Sequence, residues 1–350
     1  MTFRTVGKWR GMRTVRVPEQ ERAAVPWWVR FTLSALVGVF FAVALGRLAA
    51  PHDAADLTPV LRAARMVLLG RSPYDMPVML YPLPGIVVVT PLALLPTVWA
   101  YTLWSGLGAA LLTWAAIGRF GLHGLAVVLS KSAARALALA QWSPWYFLGG
   151  LNPGWQLLAA AKPTLGLIVW CYRPSRWAFV SAAGLLAISF VLVPTWLPDW
   201  VHHTRGATAY GPYAPAAAVW KGGGPLLLLA ALRWRRREGR LLLAMALVPQ
   251  NFIWYDQLLL FLVPTTAVEV WALSLLSWVS SVVAANAFTR AGIPEPAGQM
   301  AFQAPIVALM YLPCLAMTLR RPNEGSVPAW LEERIASWPG WLRGAAGAHS

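Results

Sequence analysis

Apolar residues in this chain gather in long, nearly unbroken blocks. The first runs from Trp27 to Ala50, and others recur as far as Leu319, separated by short strips rich in arginine, proline or glycine. Blocks of that length match the ~20 residues an α-helix needs to cross a bilayer. One stretch is patterned differently. In DLTPVLRAARMVLLG (56–70), Leu57, Val60, Leu61, Ala64, Val67 and Leu68 fall at helical spacing and make a single apolar stripe. That pattern predicts a helix lying flat on the membrane surface, apolar side down. Asp56 stands at its N-cap position, Arg62 and Arg65 share a polar edge one turn apart, and Gly70 is a natural stop. The strip GRSPYDMPVMLYPLPG (70–85) follows. Its four prolines hold the chain extended and stiff, and Tyr74 and Tyr81 suit a membrane interface, ring in the apolar zone and hydroxyl in the wet one.

Composition turns these blocks into a class. Hydrophobic residues make up 58% of the chain and charged residues 12%, about half the usual soluble share. The chain reads as an all-α, multi-pass membrane protein. Its net charge of +16 does not point to nucleic acid, because the basic residues fall in short clusters between apolar blocks, as the positive-inside rule requires. Arg4, Lys8, Arg10, Arg13 and Arg16 precede the first block; Arg173 with Arg176, RWRRREGR (233–240), and Arg320 with Arg321 form the others. Anionic lipid headgroups are their expected partners. The first block is too long for a signal-peptide core and is followed by more spans, so it reads as an uncleaved anchor. Cys171 and Cys314 sit in apolar segments and imply no disulfide framework.

Placing every basic cluster inside yields an expected topology. Residues 1–26 are a basic cytoplasmic N-terminus, 27–320 the membrane domain, and 321–350 a cytoplasmic tail with a short amphipathic helix near Pro328 to Ser337. Residues 27–49 run outward and 50–83 form an external loop. A short span, 84–95, returns, turns at Pro96, and 97–117 runs out again. The stretch 121–131 goes in, with Lys131 and Arg135 at its inner end; 133–149 goes out, 151–172 in to Arg173, and 177–194 out. A second external loop covers 195–221. Short segments near 222–233 and 240–252 bracket the arginine cluster, and spans near 254–268, 269–287 and 300–319 follow. The total is about 10–12 segments, several shorter than a bilayer needs, which must be buried among others or line a cavity.

Of five aspartates, Asp53, Asp56, Asp75 and Asp199 fall outside on this topology, and Asp256 at the outer start of a span. A solvated or helix-capping role is the ordinary one for each. Lys162 falls near mid-membrane, where a charge is costly; a functional role and a structural pairing with a carbonyl or with Glu269 are both open. His202 and His203, beside Arg205, are hydrogen-bond donors to phosphate or sugar, or simply surface residues. No cluster has metal-ligand spacing, and no cofactor or divalent metal is expected.

Several stretches, taken in order, resemble glycosyltransferase family 87: ADLTPVLRAARMVLLGRSPYD (55–75), YPLPGIVVVTPLALLP (81–96), Tyr101 to Trp104, SPWYFLGGLNP (143–153), AKPTLGL (161–167) and VPQNFIWYDQLLLFLVP (248–264). The order is more specific than any one motif. Leu83 stands where the family usually has a second proline, and Leu151 where it usually has glutamine; the second external loop lacks the expected asparagine-serine stretch. The resemblance implies a GT-C-like bundle whose first external loop carries an interfacial helix. It implies transfer of a sugar, mannose or arabinofuranose, from a polyprenyl-phosphate donor to a glycolipid or glycan acceptor at the outer face of a prokaryotic plasma membrane.

Such chemistry needs a carboxylate to take the acceptor proton, cations for the departing phosphate, and a groove for the lipid. The resemblance assigns the base to Asp56, with Asp53 in reserve. Arg62, Arg65, Arg205 and Lys221 are the candidate phosphate ligands, and Tyr74, Asp75, Tyr81, Asn152, His202, His203 and Asp256 the candidate sugar or acceptor contacts. A lipid or sugar transporter, and a catalytically degenerate binding subunit, are the competing readings.

Overall fold

A computed structural model of the chain describes residues 25–49, 56–77, 79–207, 216–291 and 303–325. Asp53, most of the basic N-terminus and the segment near Pro328 to Ser337 lie outside them. Among the described residues the regular structure is helical and no strand is formed; Ala216 and Gln250 meet in one isolated antiparallel bridge.

The α-helices, in order, are α1 (Trp27–Ala49), α2 (Leu57–Leu68), α3 (Leu83–Ala93), α4 (Thr97–Phe120), α5 (Leu125–Val128), α6 (Lys131–Ala138), α7 (Ser143–Leu151), α8 (Pro163–Tyr172), α9 (Arg176–Leu192), α10 (Trp196–Ala207), α11 (Arg237–Leu247), α12 (Ala267–Ala291), α13 (Gln303–Ile306) and α14 (Leu312–Leu319). Tighter 3-10 turns fill Pro153–Leu158, Gly224–Arg233 and Asp256–Leu262.

Among the described residues three stretches are long and apolar enough to cross a membrane: Trp27–Gly46, Thr97–Val128 and Ala267–Ala287. A fourth is reached if α9 and α10, bent by 98° at their junction, count as one span. The other expected spans are short among the described residues. Residues 151–172 split into a 3-10 turn and α8, and 254–268 holds only the 3-10 turn from Asp256. In 151–172 the break is set by prolines, Pro153 opening the 3-10 turn and Pro163 opening α8.

Helices α1 and α4 form the most extensive helix pair, and their register is antiparallel: Arg30 donates to the Trp114 carbonyl, Gly38 faces Gly106 and Ala110, and Gly46 faces Thr102. A Cβ on Gly38 would sit 2.8 Å from Ala110 Cβ and 2.9 Å from the Gly106 carbonyl. The small-residue row Gly38, Ala42, Gly46 therefore lets two backbones approach as small residues do between membrane helices. This corrects the expected direction of 97–117, which was to run parallel to the first span. The reason is α3, which is 11 residues long with Pro91 inside it. At ~1.5 Å per residue it spans only about 16 Å, so it does not return the chain across a bilayer.

The strip after α2 is short-circuited by its own contacts. Tyr74 is buried, and its hydroxyl donates to the Tyr81 carbonyl at 3.1 Å, rather than reaching an aqueous interface. Helix α10 lies along the strip: Trp200 donates to the Leu80 carbonyl at 2.9 Å, and His203 Nε2 to the Tyr74 carbonyl at 2.9 Å.

The basic clusters among the described residues, with Arg119, converge on one end of the bundle, through a chain of contacts with backbone carbonyls. Arg119 donates to Leu262 and Pro264, Arg240 to Cys171, Arg321 to Val263, and Arg233 to Leu319 and Arg321. Arg321 also pairs with Glu269 at 2.7 Å, which takes Glu269 out of reach as a partner for Lys162.

Candidate functional site

Asp56 sits at the N-terminal edge of α2, but it does not cap that helix. Its backbone is already helical, and its side chain makes no cap bond. Instead Gln141 Nε2 donates to the Asp56 carboxylate. Gln141 is held by the end of α6 through two neighbouring contacts: Tyr101 donates to the Ala138 carbonyl, and Ser105 to the Leu137 carbonyl at 3.1 Å. Trp104 Nε1 adds a long bond to the Gln141 carbonyl, 3.4 Å. Burial pushes the Asp56 carboxyl above its ordinary value; the charges of Lys162 and Arg135 pull it back, and Asp256 pushes it up again. These causes place a carboxylate and two cations in one electrostatic neighbourhood.

The second carboxylate is Asp256, which is 1% exposed. One oxygen pairs with Lys162 Nζ at 2.8 Å and the other accepts from the Asn251 amide at 3.1 Å. Asn251 Nδ2 in turn donates to the Tyr255 hydroxyl at 2.7 Å, and the Lys162 ammonium stands 5.0 Å from the centre of the Tyr255 ring. Lys162 is at the mouth of α8, where its own amide donates to the Tyr146 hydroxyl at 2.8 Å. Tyr81 joins the two halves: burial first, then the carboxylates of Asp56 and Asp256, push its phenol upward. Two non-glycine residues with positive φ flank the cluster, Ala140 (49°) beside Gln141 and Trp254 (70°) just before Asp256. Such backbone costs ~1–3 kcal/mol per residue and is retained where surrounding structure imposes it.

An apolar cavity of about 220 Å³ lies beside this cluster, lined by Val88, Trp104, Trp145, Gly154, Trp155, Leu157 and Leu158. Its wall is aromatic, with Trp104 and Trp145 ring centres 4.9 Å apart and Trp145 and Trp155 6.1 Å apart. Because Trp104 also holds the Gln141 carbonyl, the cavity wall and the partner of Asp56 are one hydrogen bond apart.

The expected site residues are redistributed. Asp56, Tyr81 and Asp256 come together, although Asp256 is a buried ion-pair partner rather than an open sugar contact. Arg65 is committed elsewhere: it donates to the Ala93 and Leu95 carbonyls at 3.0 and 2.8 Å and to Thr97 Oγ1 at 3.2 Å, tying α2 to the end of α3. It therefore does not share an open edge with Arg62, which is exposed. Asp75, His202 and Arg205 are exposed, and His203 is occupied by the Tyr74 carbonyl. Asn152 folds onto its own turn through the Gly154 amide, at the end of α7 where Arg173 binds the Leu151 carbonyl. That is the basic end, away from Asp56. Lys221 is half-buried in a turn closed by its amide to the Ala218 carbonyl. Lys131 and Arg135 do not mark an inner helix end: the Lys131 amide meets Ser277 Oγ within α12, and the charge of Arg135 reaches Asp56.

Sequence reasoning missed Gln141, Arg135, Tyr146 and Asn251. The available signal was their position as polar residues inside or beside apolar motifs: Gln141 two residues before SPWYFLGGLNP, and Asn251 within VPQNFIWYDQ. The described residues hold no group of three or more metal-ligating side chains. Comparison of the chain with family models, with curated proteins and with solved structures finds no match.

Proposed function

We propose that this chain is a polytopic membrane glycosyltransferase with a GT-C-like bundle. It transfers a sugar, mannose in the first instance, from a polyprenyl-phosphate donor to a hydroxyl of a lipid or glycan acceptor. The observation that carries the reading is Asp56. It is a half-buried carboxylate, raised by burial and lowered in part by the charges of Lys162 and Arg135, and held by Gln141, whose carbonyl binds a tryptophan of the aromatic cavity wall. A carboxyl shifted toward neutrality is better matched to proton abstraction near physiological pH than an ordinary one. In the reaction the acceptor oxygen attacks the sugar C1 and its proton passes to Asp56. The bond from C1 to the phosphate oxygen breaks, and that electron pair leaves on the lipid phosphate.

The ordered motifs resembling glycosyltransferase family 87 support the same assignment. With the arginine-rich end read as cytoplasmic, as the positive-inside rule asks, Asp56 belongs to the outer face in this reading, and the antiparallel α1–α4 pair, with Arg119 at the far end of α4, supports it. The short helices then pack around the site instead of spanning. A prokaryotic plasma membrane is the expected location.

The test uses full-length protein in nanodiscs with radiolabelled polyprenyl-phosphate mannose, then the arabinofuranose donor, and a pool of membrane glycolipids. Wild type and Asp56→Asn are compared. Label reaching a lipid acceptor with wild type alone supports the reading. Donor bound but never turned over, whatever acceptor is offered, marks a binding subunit; absence of donor binding favours the transport reading.

A further inference from the structure

We propose that Lys162 is the cation that receives the donor phosphate, and that Asp256 and the phosphate compete for its ammonium. The inference rests on the glycosyltransferase reading and names the leaving-group site that the loop arginines were expected to supply.

Lys162 is tied to the Asp56 cluster by packing: the carbonyl of Ala161, just before it, abuts Gly85 four residues after Tyr81, and its own amide binds the Tyr146 hydroxyl in the first turn of α7, directly after Gln141, the partner of Asp56. A base and a leaving-group cation serve one reaction only if they share a site, because the attacking oxygen, C1 and the departing oxygen lie in line within a few ångströms. Lys162 meets that condition on its charge and position. Arg65 spends its guanidinium on two carbonyls and a hydroxyl.

The pair is also asymmetric. Asp256 is almost wholly enclosed, while the Lys162 side chain is 15% exposed. An ammonium has three donors. One goes to Asp256 Oδ1 at 2.8 Å, and the ring face of Tyr255 lies below. The stem is fixed where the backbone enters α8: Pro163 follows, holding Lys162 extended (φ −134°, ψ 86°), and the Tyr146 hydroxyl accepts its amide proton. Packing holds the ammonium in place, and the carboxylate behind it limits how tightly a phosphate is retained after transfer.

The experiment measures binding, so it does not depend on finding the acceptor. Full-length protein in detergent is titrated with a fluorescent polyprenyl phosphate without sugar, and with the matched neutral polyprenol. Lys162→Gln is expected to weaken phosphate binding at least about tenfold, the scale of a charge-assisted hydrogen bond, and to leave polyprenol binding unchanged. Asp256→Asn, which keeps the lysine and the side-chain volume, is expected to tighten phosphate binding several-fold. A purely structural ion pair predicts no change or weakening. The exchange Lys162→Asp with Asp256→Lys restores an ion pair and is expected to recover the thermal midpoint without the phosphate preference.

Full phosphate affinity in Lys162→Gln or in the exchanged protein overturns the inference and leaves the glycosyltransferase reading standing. So does unchanged or weaker phosphate binding in Asp256→Asn, which decides the matter alone if the lysine variants do not fold. Wild type that binds neither probe overturns both.

Discussion

Replacing Gln141 with leucine tests the base assignment at its weakest point. The structure gives Asp56 one side-chain hydrogen bond, from Gln141 Nε2, while burial opposes its charge. Gln141 is 2% exposed, and its Oε1 has no partner among the described residues. Leucine therefore fills similar volume and removes the unpaired Oε1, so that the lost bond to Asp56 is the polar change at the site, and the backbone carbonyl that Trp104 uses is untouched. A hydrogen bond to a charged group contributes ~1.5–3 kcal/mol. Since one pKa unit is ~1.36 kcal/mol, losing the bond moves the Asp56 ionisation upward by about one to two pH units. The assay is the pH dependence of label transfer at saturating donor. The acid limb of the wild-type profile should lie above the ordinary carboxylate value of 3.8, and Gln141→Leu should carry it higher by that interval with its plateau retained. Asp56→Asn should lower the plateau by ~10²–10⁴, the usual contribution of a general base. An acid limb that does not move in Gln141→Leu, or transfer that survives in Asp56→Asn, would refute the reasoning.

Other expectations concern stability. Asp56 holds its proton more tightly in the folded chain, so its contribution to stability is lost as pH rises from 3.8 through the raised folded value. The gain in thermal midpoint of Asp56→Asn over wild type should therefore grow across that window and then level off; a constant difference would show that the carboxyl is not raised. Arg65→Ala removes the ties to the Ala93 and Leu95 carbonyls and to Thr97, and should cost about 2–4 kcal/mol by leaving those acceptors unpaired. Denaturation in detergent at a wild-type midpoint would contradict it. Gly38→Ala forces a Cβ to within 2.8 Å of Ala110 and should cost ~1–3 kcal/mol. Gly184→Ala in α9 meets nothing within 4 Å and should be neutral or stabilising by up to ~1 kcal/mol. Equal midpoints for these two would undo the close α1–α4 crossing.

The candidate site shows how far local reading reaches. The stripe from Leu57 to Leu68 is a helix in the structure, because its period is written in consecutive residues. The same stripe misplaced Arg65, which periodicity put on a polar edge; the carbonyls closing α3 claim it. Asp256 was recognised as important but taken as open. Its burial depends on Lys162 and Asn251, and nothing in IWYDQ announces the lysine.

What the sequence determined by itself is the helical character of the described residues and the longest apolar helices: α1, α4 and α12 fall where apolar runs are long enough to cross a membrane, and α9 does so only when joined to α10. Hydrophobic transfer and helical hydrogen bonding act over neighbouring residues, so these features are legible one window at a time. The tertiary structure decided the direction of α4 and the pairing of the polar groups. Gln141 meets Asp56 across 85 positions, Lys162 meets Asp256 across 94, and Arg321 meets Glu269 across 52. In an apolar interior a charge must find a partner. Which partner it finds is set by how glycine rows, proline breaks and short helices pack, and that information is spread over the whole chain.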